Sequence, residues 1–364
     1  MKESTAALET AAEQLDTIHL GDCLNLLKSL PDASVDLIVS SPPYNIGKSY
    51  ESKRALSIYL EEQKVVLTEC ARVLSPKGSI FWQVGSYSDK GMLIPLDVKV
   101  FPILEDLGLI PRNRIVWIRP HGLHAKNKFS ARHETILWFT RTNTYPFHLD
   151  SIRVPQKYQN KKAWAGESKG KLTCNPDGKN PGDIWLFQNV KHNHEEQTIH
   201  PCQFPEDMIA RIVLAVTDEG DTVLDPYMGT GTVAVVARDQ DRHFLGAEMD
   251  STYHAIALQR LSGEPDPDGC FPNLKTLRNY AEKTGTDVSK YRFAVQVGQF
   301  ASPRGSSKIF SEEHHREAHL ARLEHEEDCF AADLREEEHP EPRDPRAKSH
   351  KPRKEETPGL LWEQ

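Results

Sequence analysis

Thr222-Val223-Leu224-Asp225-Pro226-Tyr227-Met228-Gly229-Thr230-Gly231-Thr232-Val233-Ala234-Val235-Val236-Ala237 is the stretch that decides the fold. Its first residues are β-branched or apolar and end on an acid, which reads as a short buried strand. Gly229 and Gly231 supply a turn, and the apolar run from Thr232 opens a helix. Phe244-Leu245-Gly246-Ala247-Glu248 then reads as a second short strand, again ending in a carboxylate. Strand, glycine turn, helix and acid-tipped strand form one half of a doubly wound, mostly parallel α/β sheet. Such a half holds a nucleoside at the carboxyl edge, with the second acid placed for ribose hydroxyls. The dinucleotide pattern G-x-G-x-x-G is absent, and Asp225 stands where a pyrophosphate would be repelled, so a dehydrogenase is disfavoured.

An acid at that strand tip suits a cationic or amine-bearing ligand, such as the amino group and sulfonium of S-adenosylmethionine. Far upstream, Val35-Asp36-Leu37-Ile38-Val39-Ser40 reads as another buried strand, followed at once by Ser41-Pro42-Pro43-Tyr44. Two prolines stop the strand and stiffen an extended loop. The loop offers a hydroxyl, a carbonyl and an aromatic ring, a set that can grip a planar amine. The alternative is a plain Ser-Pro-Pro turn between strand and helix.

Taken together, Ser41-Pro42-Pro43-Tyr44 and the later Asp225-Pro226-Tyr227-Met228-Gly229-Thr230-Gly231-Thr232 resemble the amino-methylating DNA methyltransferases. These enzymes modify the exocyclic amine of cytosine or adenine. Catalytic motif before cofactor motif is the permuted order of their β group. Gly21-Asp22-Cys23, Lys179 to Trp185 and His200 to Pro205 are weaker matches in the same order, and the resemblance spans roughly residues 17 to 262. It implies a Rossmann-like fold, S-adenosyl-L-methionine as cofactor and double-stranded DNA as partner. A cognate restriction endonuclease and a second copy of the chain are further partners of that kind. The catalytic residues would be Ser41, Pro42, Pro43 and Tyr44. Asp22 would accept from the cofactor's adenine amine, although it also reads as the N-cap of a helix over Leu24 to Leu30. Phe204 and Pro205 would cover the methionine part. Asp225, Pro226, Gly229, Thr230, Gly231, Thr232 and Glu248 would complete the cofactor site. Phe129 to Phe139 resembles the segment lining the target-base pocket, so His133 and Glu134 would touch the base or the loop around it, or serve as structural hydrogen-bond partners.

The chemistry demands such a loop. An exocyclic amine has its lone pair delocalised into the ring and is a poor nucleophile. Two acceptors, the Ser41 hydroxyl and the Pro42 carbonyl, would hold its hydrogens and stabilise the positive charge as it forms. Tyr44 would stack on a base extruded from the helix. Attack is direct, with no cysteine nucleophile. In the family it resembles, Asp at the first loop position belongs mostly to adenine enzymes and Ser is commoner in cytosine-N4 enzymes, so Ser41 favours cytosine-N4 over adenine-N6; a neutral hydroxyl can also donate to cytosine N3. An RNA or protein amine methyltransferase usually has Asn first and the unpermuted order. A catalytically dead DNA-binding module would need a degraded loop.

The chain has 364 residues, enough for one large α/β core with an appendage, and its net charge is −8. Nucleic-acid binding therefore needs a local basic patch. Residues 141–180 hold eight Lys/Arg against three acids, with Tyr158 and Trp164 among them. Arg153, Lys157, Lys161, Lys162, Lys169 and Lys171 are the expected DNA contacts, against the alternative of a solvated lysine-rich loop. The expected organisation is a catalytic half over 1–140, a target-recognition insert over 141–180 and a cofactor-binding half over 181–262. An accessory helix-turn-strand module follows over 263–300, then a polar tail over 301–364. That tail carries sixteen acids, eleven Lys/Arg and three aromatics, too polar to bury a core, with a helix conceivable only over Glu312 to Leu334. Residues 1–15 read as a polar, partly helical lead-in. The scattered Cys23, Cys70, Cys174, Cys202, Cys270 and Cys329 fit a reducing cytoplasm, with the protein at the nucleoid when it acts. No membrane span is expected. His192, His194 and His200 with Glu195 and Glu196 invite a metal reading, which their spacing argues against.

Overall fold

Eight strands form the central sheet of the computed structural model, which describes residues 15–47, 51–119, 124–158, 160–191, 194–296 and 299–301. In chain order they are β1 (Thr17–Leu20), β2 (Val35–Ser40), β3 (Leu74–Val84), β6 (Ile110–Ile118), β7 (His133–Thr140), β8 (Ile184–Leu186), β9 (Thr222–Asp225) and β10 (His243–Glu248). The hairpin strands β4 (Ser86–Asp89) and β5 (Met92–Pro95) stand apart from the sheet. The spatial order is β1-β10-β9-β2-β3-β7-β6-β8. Only β7 runs antiparallel to its neighbours, so the sheet is mostly parallel, as expected.

Continuous apolar strands are what a sheet covered on both faces requires. In β2, Ile38 joins one core layer while Leu37 and Val39 join the other. The first layer is closed by helices α1 (Cys23–Ser29), α2 (Leu56–Val73) and α3 (Leu96–Asp106). The second is closed by α4 (Glu206–Val216), α5 (Thr232–Asp239) and α6 (Ser251–Ser262).

Ser75-Pro76-Lys77-Gly78, despite its proline and glycine, lies within β3: Leu74 pairs with Val35, and after a bulge the ladder resumes at Leu37 and Ser79. The third helix starts at Leu96, directly after Pro95, and ends at Asp106. The β4–β5 hairpin was not foreseen. Its turn uses Lys90 and Gly91 at φ 49° and 83°, left-handed values that Lys rarely takes and that carry no Asn-Gly signature.

Beyond α6, a three-stranded sheet of β11 (Cys270–Phe271), β12 (Arg292–Gln296) and β13 (Gln299–Ala301) accompanies helix α7 (Leu274–Thr284). Phe271, Leu274 and Leu277 form a small core of their own. The module is also tied inward: Gln259 donates to the Cys270 carbonyl at 2.7 Å, and Lys275 N donates to the Glu195 carbonyl at 2.9 Å. Residues 1–14, the expected helix over 312–334 and the remaining tail lie outside the described residues. Among the described residues, no helix is long and apolar enough to cross a membrane.

Candidate active site

Because β1, β10, β9 and β2 are adjacent and parallel, their carboxyl ends form one row. Asp22 lies just past β1, Glu248 ends β10, Asp225 ends β9, and Ser40 ends β2 directly before Ser41. The two motifs, far apart in the chain, meet here. Ser40 Oγ donates to Asp225 Oδ1 at 2.5 Å, and Tyr227 N donates to the same oxygen at 2.9 Å. Asp225 is buried, and burial pushes its carboxyl up to about 7 despite those two bonds.

The glycine turn is held from three sides. Gly229 and Gly231 sit at φ 54° and 81°, and a Cβ on Gly231 would stand 2.8 Å from Ala257 Cβ on α6. Glu248 accepts from Gly229 N and Asp250 N, each at 2.8 Å, and burial raises its carboxyl. The buried Arg260 donates to the Thr230 carbonyl at 2.7 Å and to Thr232 Oγ1 at 3.1 Å, and its other nitrogen meets Glu206 Oε1 at 2.6 Å. Lys275 of α7 holds the second Glu206 oxygen at 2.6 Å. Burial acts to raise the Glu206 carboxyl, but Arg260 and Lys275 outweigh it and the net shift is downward. Its buried neighbour Glu196 accepts from Glu206 N at 3.0 Å and is pushed up to about 7, by burial first and then by the Glu206 charge.

Residues 198–205 lie beside this turn. Thr198 Oγ1 donates to Thr230 Oγ1 at 3.3 Å, and a Cβ on Gly229 would stand 3.7 Å from the His200 ring. Phe204 packs half-buried on the second core layer, while the buried Pro205 precedes α4. Pro226, Thr230, Gly231 and Thr232 are buried, and Gly229 is half-buried. Asp22 is exposed and caps α1, accepting from Leu24 N at 2.8 Å.

In the Pro-Pro loop, Pro42 is buried, and Ser41, Pro43 and Tyr44 are half-buried. Ser41 Oγ donates to the Tyr44 hydroxyl at 3.2 Å, which donates to Glu134 Oε2 at 3.0 Å. Gln83 also donates to Glu134 Oε2, and Arg119 pairs with Glu134 Oε1 at 2.7 Å. Burial, and then the Glu134 charge, hold the Tyr44 hydroxyl well above its usual range. The Tyr44 ring lies against Gly85, where a Cβ would come within 2.9 Å of Cε2. Past the loop, Asn45 takes φ 61°, and the Glu51 carboxylate accepts from Asn45 N at 2.7 Å and Ile46 N at 3.0 Å. Glu134 therefore bonds to the Pro-Pro loop, whereas His133 is exposed.

The insert has little regular structure. Short bridges join Val154 to Lys179, Lys162 to Leu172 and Ala163 to Lys169. These bring Lys161, Lys162, Lys169 and Lys171 onto one small loop knot, all exposed, as are Lys157, Tyr158 and Trp164. Arg153 differs: it is half-buried and bound to Asp150 at 2.7 Å and to the Gly178 carbonyl at 3.2 Å. Cys23, Cys70, Cys174 and Cys270 are free thiols. Among the described residues, no group of three or more His, Cys, Asp or Glu is placed to hold a metal ion, and His192 falls outside them.

Sequence reading missed Ser40, Thr198 and Arg260. Each acts through a partner distant in the chain, and no local motif marks it.

A sheet of this order, with its glycine turn and acids gathered at the carboxyl edge, is the fold of S-adenosylmethionine-dependent methyltransferases. PvuII DNA methyltransferase, described as cytosine-N4-specific, shares it at a TM-score of 0.54, with 20% identity over 66% of this chain and 84% of that one. A family model described as DNA methylase matches residues 35–259, and the chain belongs to this N6/N4 DNA methylase family. It is a DNA methyltransferase, and S-adenosyl-L-methionine is the cofactor of the family. The type II methyltransferase M.BglII of Bacillus subtilis is 57% identical over 316 residues, 86% of this chain and 88% of that protein. The DNA adenine methyltransferase YhdJ of Escherichia coli is 34% identical over 251 residues, 67% of this chain and 82% of that one.

Proposed function

We propose that the chain methylates the exocyclic N4 amine of cytosine at a specific site in double-stranded DNA. It would be a permuted, β-group enzyme and the modification partner of a restriction endonuclease. The observation that carries the reading is the 2.5 Å bond from Ser40 to Asp225, which seats the Ser41 loop beside the glycine turn. The residues present fit S-adenosylmethionine. Gly229 and Gly231 let the backbone turn at positive φ beside these acids, and Asp225 and Glu248 offer carboxylates to an amino group and to ribose hydroxyls. Asp22, Phe204, Pro205, Pro226, Thr230 and Thr232 complete that set. When bound, the cofactor supplies an electrophilic methyl group.

The chain's own part is to ready the amine. Ser41 gives its hydrogen to Tyr44, and Tyr44 gives its own to Glu134, so the lone pairs of Ser41 Oγ face outward as acceptors. The Glu134 charge polarises this relay in the direction that stabilises a developing ammonium. Ser41 and the Pro42 carbonyl hold the two amine hydrogens, and Tyr44 flanks the extruded base.

The choice of cytosine rests on Ser41: the hydrogen it gives Tyr44 in the free protein can pass to cytosine N3 as the base enters, while its lone pairs go on accepting from the amine, which an ionised Asp at this position could not do. The second reading, adenine-N6, is favoured by the name and identity of the Escherichia coli relative. The working division is that expected from sequence: halves over 1–140 and 181–262, the DNA-recognition insert over 141–180, the accessory module over 263–300 and the tail over 301–364. The place of action is the cytoplasm, at the nucleoid, either as a single chain or as a homodimer.

Single-molecule sequencing and nucleoside mass analysis of DNA from a host expressing the chain test this directly. N4-methylcytosine in one sequence context supports the proposal, N6-methyladenine replaces it with the second reading, and methylation of RNA or protein alone ends it.

A further inference from the structure

The loop preceding β7 carries an aromatic ring that the fold leaves entirely in solvent. Ala125 N donates to Ser130 Oγ at 3.0 Å and closes a short loop, and Phe129 at its tip is fully exposed, more so than Trp164. Residues 124–132 include Lys126, Lys128 and Arg132 and no acid. Lys128 Nζ donates to Ser88 Oγ at 2.6 Å, which ties this loop to the β4–β5 hairpin. That hairpin leaves β3 just after Gly85, the residue under the Tyr44 ring. Since β7 runs antiparallel to β3, its first residues stand at the carboxyl edge where β2 and β3 end. Glu134, five positions after Phe129, is bonded there to Tyr44.

We infer that Phe129 is the wedge that enters the duplex where the target nucleotide leaves it, with Lys126 and Lys128 on the adjoining phosphates. The inference rests on reading Ser41 to Tyr44 as the amine clamp. A base taken out of the stack leaves two unstacked neighbours, and an apolar ring inserted between them recovers part of that loss. Cations beside the ring hold the backbone on either side and carry no sequence information. The ring is at the edge that carries the Pro-Pro loop, and among the described residues no core cluster includes it.

The test compares single-turnover methylation of two synthetic duplexes bearing the site mapped by sequencing: one intact, one with an abasic position opposite the target base. Extrusion costs less in the second. Phe129→Ala is expected to lose roughly tenfold or more on the intact duplex, yet to stay within about threefold of the parent on the abasic one. Phe129→Leu should keep most of the intact-duplex rate. Cofactor affinity and Tm should not change. An equal loss on both duplexes, or no loss, overturns the assignment. So does a duplex-selective loss in Trp164→Ala but not in Phe129→Ala, which would place the wedge in the insert. Failure of the clamp reading shows separately, as Ser41→Ala retaining full rate on both duplexes.

Discussion

Asp225 keeps a carboxylate buried where a neutral group would fold more easily. Its carboxyl rises from 3.8 to about 7 because it is desolvated, so the folded chain binds this proton more tightly than the unfolded chain does. The stability it adds is complete below the unfolded value and is lost as pH rises through 7. Asp225→Asn keeps an oxygen for Ser40 and Tyr227 N while removing the charge. The variant should be more stable than the parent at pH 8, by up to about 4 kcal/mol, and equal to it near pH 4. Glu196, also pushed up to about 7, leaves a residual slope in both proteins. Calorimetric titration should show the same variant binding S-adenosylmethionine about tenfold or more weakly, the loss expected when a charge-assisted contact becomes neutral. Ser41→Ala should do the reverse. In the proposed mechanism Ser41 meets the reacting amine and not the turn, so turnover should fall roughly a hundredfold with cofactor affinity unchanged, as when one transition-state contact is removed. Equal losses in both parameters would take Ser41 out of the amine's reach.

Elements written as uninterrupted apolar runs were legible. β2 and β9 occupy the residues expected of them, Val35–Ser40 and Thr222–Asp225. What the chain order hides is pairing over distance. Ser40 and Asp225 are 185 positions apart, and only the β2–β9 ladder shows that their strands are neighbours. Arg260 reads as one polar residue on the last helix, yet it is buried and braces the glycine turn against α4. Arg260→Met would leave Glu206 with Lys275 alone. Breaking a buried pair typically costs about 3–5 kcal/mol, and the retained lysine reduces this to about 2–3 kcal/mol. Adding Glu206→Gln should restore at least half of that loss in urea unfolding. Cofactor affinity should fall in the single variant because Thr230 and Thr232 lose their donor. A variant as stable as the parent would show that the brace contributes nothing.

Charge on the scale of the whole molecule sets how it can approach DNA. At net −8 the chain repels a polyanion as a body, so attraction has to come from a cation cluster held clear of the acidic surface. The bridges within the insert gather Lys161, Lys162, Lys169 and Lys171 on one exposed knot, whereas Arg153 is bound to Asp150 and is the weakest candidate for a phosphate contact. Each lysine that meets a phosphate releases a counterion and adds about 0.9 to the slope of log K against log salt. Replacing the four lysines by Gln should lower that slope by about three to four and weaken binding to all sequences alike, with Tm unchanged. Arg153→Gln should leave the slope within about half a unit of the parent, and its lost bonds should appear as reduced stability instead. Titration of a labelled duplex at several salt concentrations reads both quantities. If the four-lysine variant keeps the parent slope, the insert is a solvated loop and the phosphates are held elsewhere on the catalytic edge.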